Sequence, residues 1–215
     1  MPSLGENLYS CRMQNSLDFD KKMDCDLDGC RLEYGMFFGD ADKGLLLVKA
    51  GQDGSARGYC DKYLKLAYKI REKYGMSVVC CSNPGQVKVQ MPHAMQVLQE
   101  EGLLNASTRV YFAGFSKGAS IGCIQGAAYP QIVRYLLVNP PMMINTAKIC
   151  LAAKSFTGEK MSFVFGSEDP SVGFVDLLRI HEHENMSVRV ILGQDHNLSR
   201  DNFDLTELVG SELLF

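Results

Sequence analysis

Nine residues near the middle of the chain constrain its fold more than any other stretch. The apolar run over 110–113 predicts a β-strand, which ends in Gly114-Phe115-Ser116-Lys117-Gly118 before a segment of small residues typical of a helix. Glycines two positions before and two positions after the serine permit a sharp turn, where any Cβ would collide with the neighbouring strand or helix. This strand–turn–helix layout, with an exposed serine hydroxyl, is that of a nucleophile elbow.

Length and composition limit the class of protein. The chain has 215 residues, of which 46% are hydrophobic, and this suffices for one domain with a substantial core. A formal net charge of −3 argues against a broad basic surface for nucleic acid. No apolar run approaches the roughly 18 residues that a membrane span requires. We therefore expect a globular protein that does not bind nucleic acid and does not span a membrane.

The N-terminus and the cysteines bear on location and on metals. Residues 1–15 lack the basic region and the long apolar region of a secretory signal, so we expect a cytoplasmic protein. Its eight cysteines should then be reduced thiols. Their spacings match no zinc site, and we expect neither a metal nor a cofactor.

Residues 1–40 differ from the rest and contain a hairpin signal. An Asp28-Gly29 pair separates two alternating runs, which predicts strands over 22–27 and 30–34 with Asp26 opposite Arg31. Six apolar side chains would share one face: Met23, Cys25, Leu27, Cys30, Leu32 and Tyr34. Because that face has to be covered, we expect the hairpin to add edge strands to a sheet or to mediate dimerisation.

The same hairpin invites a second interpretation, as a calcium loop. Asp24, Asp26 and Asp28 alternate as at the start of an EF-hand loop. Such a loop needs a glutamate at its twelfth position, where this chain has Gly35. The hairpin interpretation is favoured.

From residue 44 onward, segments typical of strands and helices alternate. Strands are predicted over 45–48, 77–81, 110–113, 132–138, 161–165 and 188–192. Helices are predicted over 59–74, 92–102, 145–153, 172–183 and 205–214, and from the elbow to about residue 130. This alternation predicts a mostly parallel α/β sheet with helices on both faces, in a single domain over 1–215 with residues 1–40 as an extension.

A serine nucleophile needs a base and an acid, and two loops supply candidates. Histidine is the usual base because its pKa lies near neutral pH, and a carboxylate orients it. Glu168 and Asp169 follow the strand predicted over 161–165, and Asp195 and His196 follow the strand predicted over 188–192. Both loops would lie at the carboxyl edge of the sheet, where open α/β sheets bind ligands.

Each of these residues also has a purely structural alternative. Ser116 could be the hydroxyl of a structural turn, and His196 a loop histidine bonded to backbone. Asp169 could be a helix N-cap, with Glu168 as the rival acid. Asp195 adjoins His196 in sequence, and an adjacent side chain points elsewhere.

Other charged residues fit structural roles better than chemical ones. His181 and His183 lie two positions apart, which on a helix places them on different faces and disfavours a metal pair. His93 fits a helix surface better than a substrate contact. Lys117 should contribute its backbone, and its ammonium group could also meet an anionic substrate.

Over about residues 44–215 the sequence resembles the α/β-hydrolase superfamily, in particular its small serine esterases and deacylases. The resemblance rests on the elbow, on the Gly166-x-x-Asp169-Pro170 motif and on the His196 loop. The resemblance implies that Ser116 is the nucleophile, His196 the general base and acid, and Asp169 the orienting carboxylate. It also implies an oxyanion hole formed by the backbone N–H groups of Lys117 and Gln52. Many members carry His-Gly where this chain has Ala50-Gly51.

The resemblance further implies a substrate class. Little sequence lies between the strand over 132–138 and the helix over 145–153, so we expect little or no cap and an open site. Met142 and Met143 either form part of its rim, where methionines adapt to varied acyl groups, or pack in the core. This favours a serine hydrolase that cleaves a small-molecule or glycan ester, with a short acyl group or an acylated sugar or peptide, through an acyl-enzyme. The alternatives are an acyltransferase with the same triad and a non-catalytic interaction module. A homo-oligomer is compatible with either.

Overall fold

The computed structural model describes residues 17–87, 90–201 and 203–214. Its centre is one eight-stranded sheet with the strand order β1-β2-β4-β3-β5-β6-β7-β8. The strands are β1 Lys21–Leu27, β2 Cys30–Phe37, β3 Leu45–Lys49, β4 Ser77–Cys81, β5 Val110–Phe115, β6 Ile132–Val138, β7 Lys160–Gly166 and β8 Met186–Ile191. All pairings from β4 to β8 are parallel, and β1 and β2 pair antiparallel. The predicted mostly parallel sheet is confirmed.

Helices cover both faces of the sheet, as the alternation predicts. They are α1 Lys62–Tyr74, α2 Gln90–Glu100, α3 Lys117–Gln125, α4 Met142–Lys154, α5 Val175–Arg179 and α6 Leu205–Val209, and a π-helical turn follows at Gly210–Leu214. One buried apolar cluster lies between the sheet and α2, α3, α4 and α5, and the other between the sheet and α1 and α6. Strands buried on both faces explain the continuous apolar runs in the sequence.

Most helices differ from their predicted bounds by a few residues at one end, and two of them also begin differently from what the sequence indicates. The helix expected over 172–183 is a 3₁₀ turn at Pro170–Phe174 followed by the short α5, because Asp169 caps the chain earlier than the apolar spacing indicates. The helix expected over 145–153 begins at Met142, directly after Pro141, and Asn145 breaks its regular geometry with φ −134°. The ring of Pro141 fixes the backbone angle φ of the residue before the helix, and this start signal outweighs that of Asn145.

The predicted hairpin is confirmed and forms the edge of the sheet. Asp26 pairs with Arg31 in the register, although the ion pair of Arg31 is with Asp24, at 2.6 Å. The apolar face of the hairpin packs against the core, and the Tyr34 hydroxyl hydrogen-bonds His93 Nδ1 on α2 at 2.6 Å. The hairpin thus adds edge strands and α2 covers it. Residues 1–16 of the expected extension, including the stretch examined for a signal, lie outside the described residues.

The described part of the chain also bears on metal binding, membrane spans and thiols. It contains no group of three or more His, Cys, Asp or Glu side chains that could hold a metal ion. None of its helices is both long and apolar enough to cross a bilayer. The cysteines within it, seven in number, are free thiols.

Candidate active site

Ser116 lies at the turn between β5 and α3 in a strained backbone conformation. Its φ is 52° and its ψ is −122°, a region that residues other than glycine rarely adopt. A Cβ on Gly118 would come within 2.4 Å of the Lys49 carbonyl oxygen, and one on Gly114 within 2.6 Å of the Ala119 Cα atom. Both glycines are therefore required sterically, as the sequence indicates.

Asp169 and His196 come together across the loops that follow β7 and β8. His196 Nδ1 hydrogen-bonds Asp169 Oδ2. The other carboxylate oxygen, Oδ1, accepts a hydrogen bond from the Ser171 backbone N–H at 2.7 Å. Asp169 is only 1% exposed, whereas the His196 side chain is 45% exposed. Asp169 thus serves as a helix cap and as the partner of the histidine at the same time.

The two rival carboxylates point away from His196. Glu168 forms an ion pair with Arg200. The Asp195 carboxylate accepts hydrogen bonds from the backbone N–H groups of Asn197 and Ser199 at 3.0 and 3.2 Å. Of the three candidate carboxylates, Asp169 is the one that contacts the His196 ring.

Ser116 and His196 line the same cleft, which has a volume of about 400 Å³. The cleft opens at the carboxyl edge of the sheet and is also lined by Gln52, Lys62 and Tyr63. A larger cavity of about 540 Å³ lies at the amino ends of β6 and β7, far from these groups in the fold. The nucleophile candidate and the histidine thus share the smaller cleft, which is therefore the candidate active site.

Two backbone N–H groups beside Ser116 are free of partners within the described residues. A Cβ on Gly51 would lie 3.2 Å from the Ser116 Cβ atom, so the loop after β3 passes directly by the serine. The N–H groups of Gln52 and Lys117 donate no hydrogen bond to any described residue. Unpaired donors at the mouth of a cleft are available to a ligand oxygen.

The loop after β3 is held in place by Asn83. The side-chain amide of Asn83 donates to the Ala50 carbonyl at 2.9 Å, and the backbone carbonyl of Asn83 accepts a hydrogen bond from the Asp53 N–H at 2.8 Å. The Asn83 N–H donates to the Gly54 carbonyl at 2.9 Å. These bonds fix the backbone on which the Gln52 N–H lies.

Asn139 performs the same task for the histidine loop. Its amide donates to the His196 carbonyl at 2.8 Å and to the Asp195 carbonyl at 3.3 Å. Its Oδ1 atom accepts the Gly166 N–H at 2.9 Å, so one buried side chain joins the loops after β7 and β8.

No protein-family model and no curated protein matches this sequence. Solved structures do match. The chain is similar to Est1E from Butyrivibrio proteoclasticus, with a TM-score of 0.67 at 15% identity, covering 88% of this chain and 96% of that one. It is similar to an esterase domain from Rhodothermus marinus, with a TM-score of 0.66 at 13% identity over 89% and 96% of the two chains. It is also similar to an alpha-beta serine hydrolase homologue from Coxiella burnetii, with a TM-score of 0.64 at 15% identity over 91% and 98%.

The chain has the α/β-hydrolase fold. Some members of this fold insert a cap after β6, but here residues 139–141 alone separate β6 from α4. This short connection corrects one expectation about the rim. Met142 is fully buried in the core, because the helix starts immediately and turns its first side chain inward, and only Met143 is exposed. Neither methionine lines the cleft.

The remaining candidates of this α/β-hydrolase-fold chain take structural roles. His93 bonds Tyr34, His181 is half-buried, and the His183 ring lies 3.4 Å from the Ala153 carbonyl. The Lys117 ammonium donates to the Gly85 carbonyl at 2.9 Å.

Sequence reasoning missed the two asparagines that support the site. Asn83 and Asn139 are both fully buried, and each lies within two residues of the carboxyl end of a buried strand. A polar amide directly after an apolar run at the ligand-binding edge is the signal that could have revealed them.

Lys49 is a further charged group that the sequence did not indicate. It lies at the end of β3, beneath the elbow, and is 1% exposed. Burial lowers the pKa of its ammonium group to about 8, and the group donates a hydrogen bond to the Ser82 carbonyl.

Proposed function

We propose that the protein is a serine hydrolase that cleaves a carboxylic ester through an acyl-enzyme. One observation carries the proposal: the strained Ser116 shares a cleft with His196, whose ring is bonded to the buried Asp169. The esterases and the serine hydrolase homologue among the similar structures support it.

In the proposed reaction, Ser116 Oγ attacks the ester carbonyl carbon while His196 accepts its proton. Asp169 accepts from His196 Nδ1, which leaves Nε2 to take that proton and later to give it to the departing alcohol. Water, deprotonated by the same ring, then attacks the acyl-enzyme, the bond from Ser116 Oγ to the acyl carbon breaks, and the ring returns the proton to Oγ as the acid leaves. The N–H groups of Lys117 and Gln52 would stabilise the oxyanion, and each such donor typically lowers the barrier by about 2.7–4 kcal/mol.

The dimensions of the cleft favour small substrates. A volume of about 400 Å³ lies at the lower end of the range for ligand pockets. Because only residues 139–141 separate β6 from α4, no inserted cap at this position encloses a long lipid chain. We therefore propose a small-molecule or glycan ester with a short acyl group, or an acylated peptide, as the substrate. We also propose a cytoplasmic location, where the free thiols would remain reduced.

A fluorophosphonate probe tests the nucleophile directly. The wild-type protein should be labelled, and Ser116→Ala should not. Ser120→Ala is the matched control, because Ser120 is buried in α3 and its hydroxyl has no partner within the described residues. Absence of labelling of well-folded wild-type protein would overturn the proposal and favour the interaction module.

The acyltransferase alternative differs only in the acceptor. Adding an alcohol or an amine to the ester assay and quantifying the acylated product against the free acid distinguishes the two. Predominant transfer at millimolar acceptor would replace the hydrolase by an acyltransferase with the same residues.

A further inference from the structure

Lys62 places a positive charge inside the cleft that contains Ser116 and His196. It is the first residue of α1, and it is one of the residues that line this cleft. No aspartate or glutamate is among the described residues of the lining. The cation is a local feature, because the chain as a whole carries a formal net charge of −3.

The side chain of Lys62 is held in place by packing. Its Nζ lies 5.1 Å from the centre of the Tyr63 ring and 5.7 Å from the centre of the Phe115 ring. Phe115 directly precedes Ser116 in the sequence. Gly58 closes over its stem: a Cβ there would lie 2.9 Å from Lys62 Cγ, and Gly58 itself has φ +71°. A lysine packed against two rings and a glycine differs from a solvated surface lysine, whose ammonium group is mobile.

Within the described part of the chain, this ammonium group has no ion-pair partner. Burial lowers the pKa of Lys62, and the charge of Asp195 raises it. The Asp195 carboxylate is already held by Asn197 and Ser199. A partly desolvated cation that faces a cleft without a carboxylate is set to receive an anion from outside.

We propose that Lys62 binds an anionic group of the substrate, beside the ester bond that Ser116 attacks. The natural substrate would then be an ester whose acyl or alcohol part carries a carboxylate or a similar monoanion. This inference rests on the proposed hydrolase function for its turnover test, and the binding test below is independent of turnover.

The turnover test uses pairs of esters in which a carboxylate is replaced by a neutral primary amide of nearly the same shape. On the alcohol side the pair is 4-acetoxybenzoate and 4-acetoxybenzamide, and on the acyl side it is monomethyl glutarate and the corresponding monomethyl ester of glutaric acid monoamide. We expect the ratio of kcat/KM for the anionic over the neutral ester to fall about tenfold in Lys62→Met for at least one pair, as for loss of a hydrogen bond to a charged group. The ratio in the wild type should also fall with added salt.

Two variants serve as controls. Lys62→Arg keeps the charge and should retain most of the preference for the anionic ester. Lys69→Met removes a lysine from the same helix, outside the cleft, where its Nζ lies 3.9 Å from Asp204. It should keep the wild-type ratio. An equal ratio in the wild type and Lys62→Met, for both pairs, would overturn the inference while leaving the hydrolase proposal intact.

The binding test uses Ser116→Ala protein, which cannot form the acyl-enzyme. Titration with 4-acetoxybenzoate, followed by calorimetry or ligand-observed NMR, should give a dissociation constant about tenfold weaker when Lys62→Met is added. If no ester is turned over but this difference is found, the hydrolase proposal fails and the anion site stands. Absent binding, or binding equal in both proteins, contradicts the anion site whatever the turnover.

Discussion

The Asn139 side chain donates a hydrogen bond of 2.8 Å to the backbone carbonyl of His196. His196 also carries the ring that we propose as the general base, and the Nδ1 atom of that ring hydrogen-bonds Asp169. The loop is thus fixed through its backbone and the imidazole through its Nδ1 atom. A base must be positioned before its pKa matters, so Asn139 is a positioning residue for the proposed reaction.

Asn139→Gly should weaken both the fold and turnover. Glycine tolerates the φ of 46° at this position, so the variant isolates the loss of three hydrogen bonds. We expect the free energy of unfolding in urea to fall by about 1–3 kcal/mol. We also expect kcat to fall more than KM changes, because the substrate does not touch Asn139.

Asp201→Gly is the control for Asn139→Gly. Asp201 is exposed and has a φ of 54°, so it undergoes the same backbone change without the buried bonds. If both variants lose the same stability and keep wild-type kcat, Asn139 does not position the histidine loop.

Asp169→Asn should separate the two roles of this carboxylate. Asparagine caps helices as well as aspartate does, so the bond from the Ser171 N–H should persist and the urea midpoint should change little. Esterase activity should fall about 10⁴-fold, because a neutral amide no longer holds the productive tautomer of His196. Glu168→Gln should remain active, since Glu168 pairs with Arg200. Equal losses in the two variants would reassign the acid.

Local steric and pairing rules made much of this structure predictable from sequence. The elbow follows from two glycines around Ser116, and the hairpin follows from Asp28-Gly29. The contact between His196 and Asp169 also matches the expected order of groups, although their roles remain proposals. The elbow and the hairpin are each specified by a few neighbouring residues. The contact between His196 and Asp169 was expected from the order of serine, acid and histidine along the chain.

The features that the sequence did not predict depend on contacts between loops far apart in the chain, or on the residue at which a helix begins. Asn139 acts through carbonyls 56 and 57 residues away, and no local pattern specifies those partners. Met142 became a core residue because α4 begins three residues earlier than its apolar spacing indicates. Arg31 pairs diagonally with Asp24 rather than with Asp26 opposite, since long side chains reach two residues along a ladder.

Gly118→Ala should be far more damaging than alanine at a glycine in open space. The added Cβ would lie 2.4 Å from the carbonyl oxygens of Lys49 and Ala50, which are backbone atoms and cannot rotate away. We expect a loss of about 3 kcal/mol or more in the free energy of unfolding. Gly173→Ala, whose Cβ meets nothing within 4 Å, should stay within about 0.5 kcal/mol of the wild type. Similar thermal midpoints for the two variants would show that the elbow can open.

Lys49 should give the stability of the protein a distinct pH dependence. Its pKa is lowered by burial to about 8 in the folded chain, against 10.5 for an ordinary lysine. Between these two values the unfolded chain binds a proton that the folded chain does not, so the free energy of unfolding rises as pH rises from about 8 to 10.5. Below about 8 both states are protonated and the full penalty of the buried charge applies. The total effect is at most about 3 kcal/mol.

Comparing wild type with Lys49→Met isolates this contribution from other titrating groups. We measure the free energy of unfolding of both proteins in urea at pH 7.0, 8.5 and 9.5. The value for the wild type minus the value for Lys49→Met should increase as pH rises. Lys69→Met, at an exposed position on α1, is the matched control for replacing a lysine by methionine. The loss of the bond to the Ser82 carbonyl affects Lys49→Met at every pH and therefore leaves the slope unchanged. A difference that is constant across this range would mean that Lys49 keeps an ordinary pKa, through water reaching it beneath the elbow.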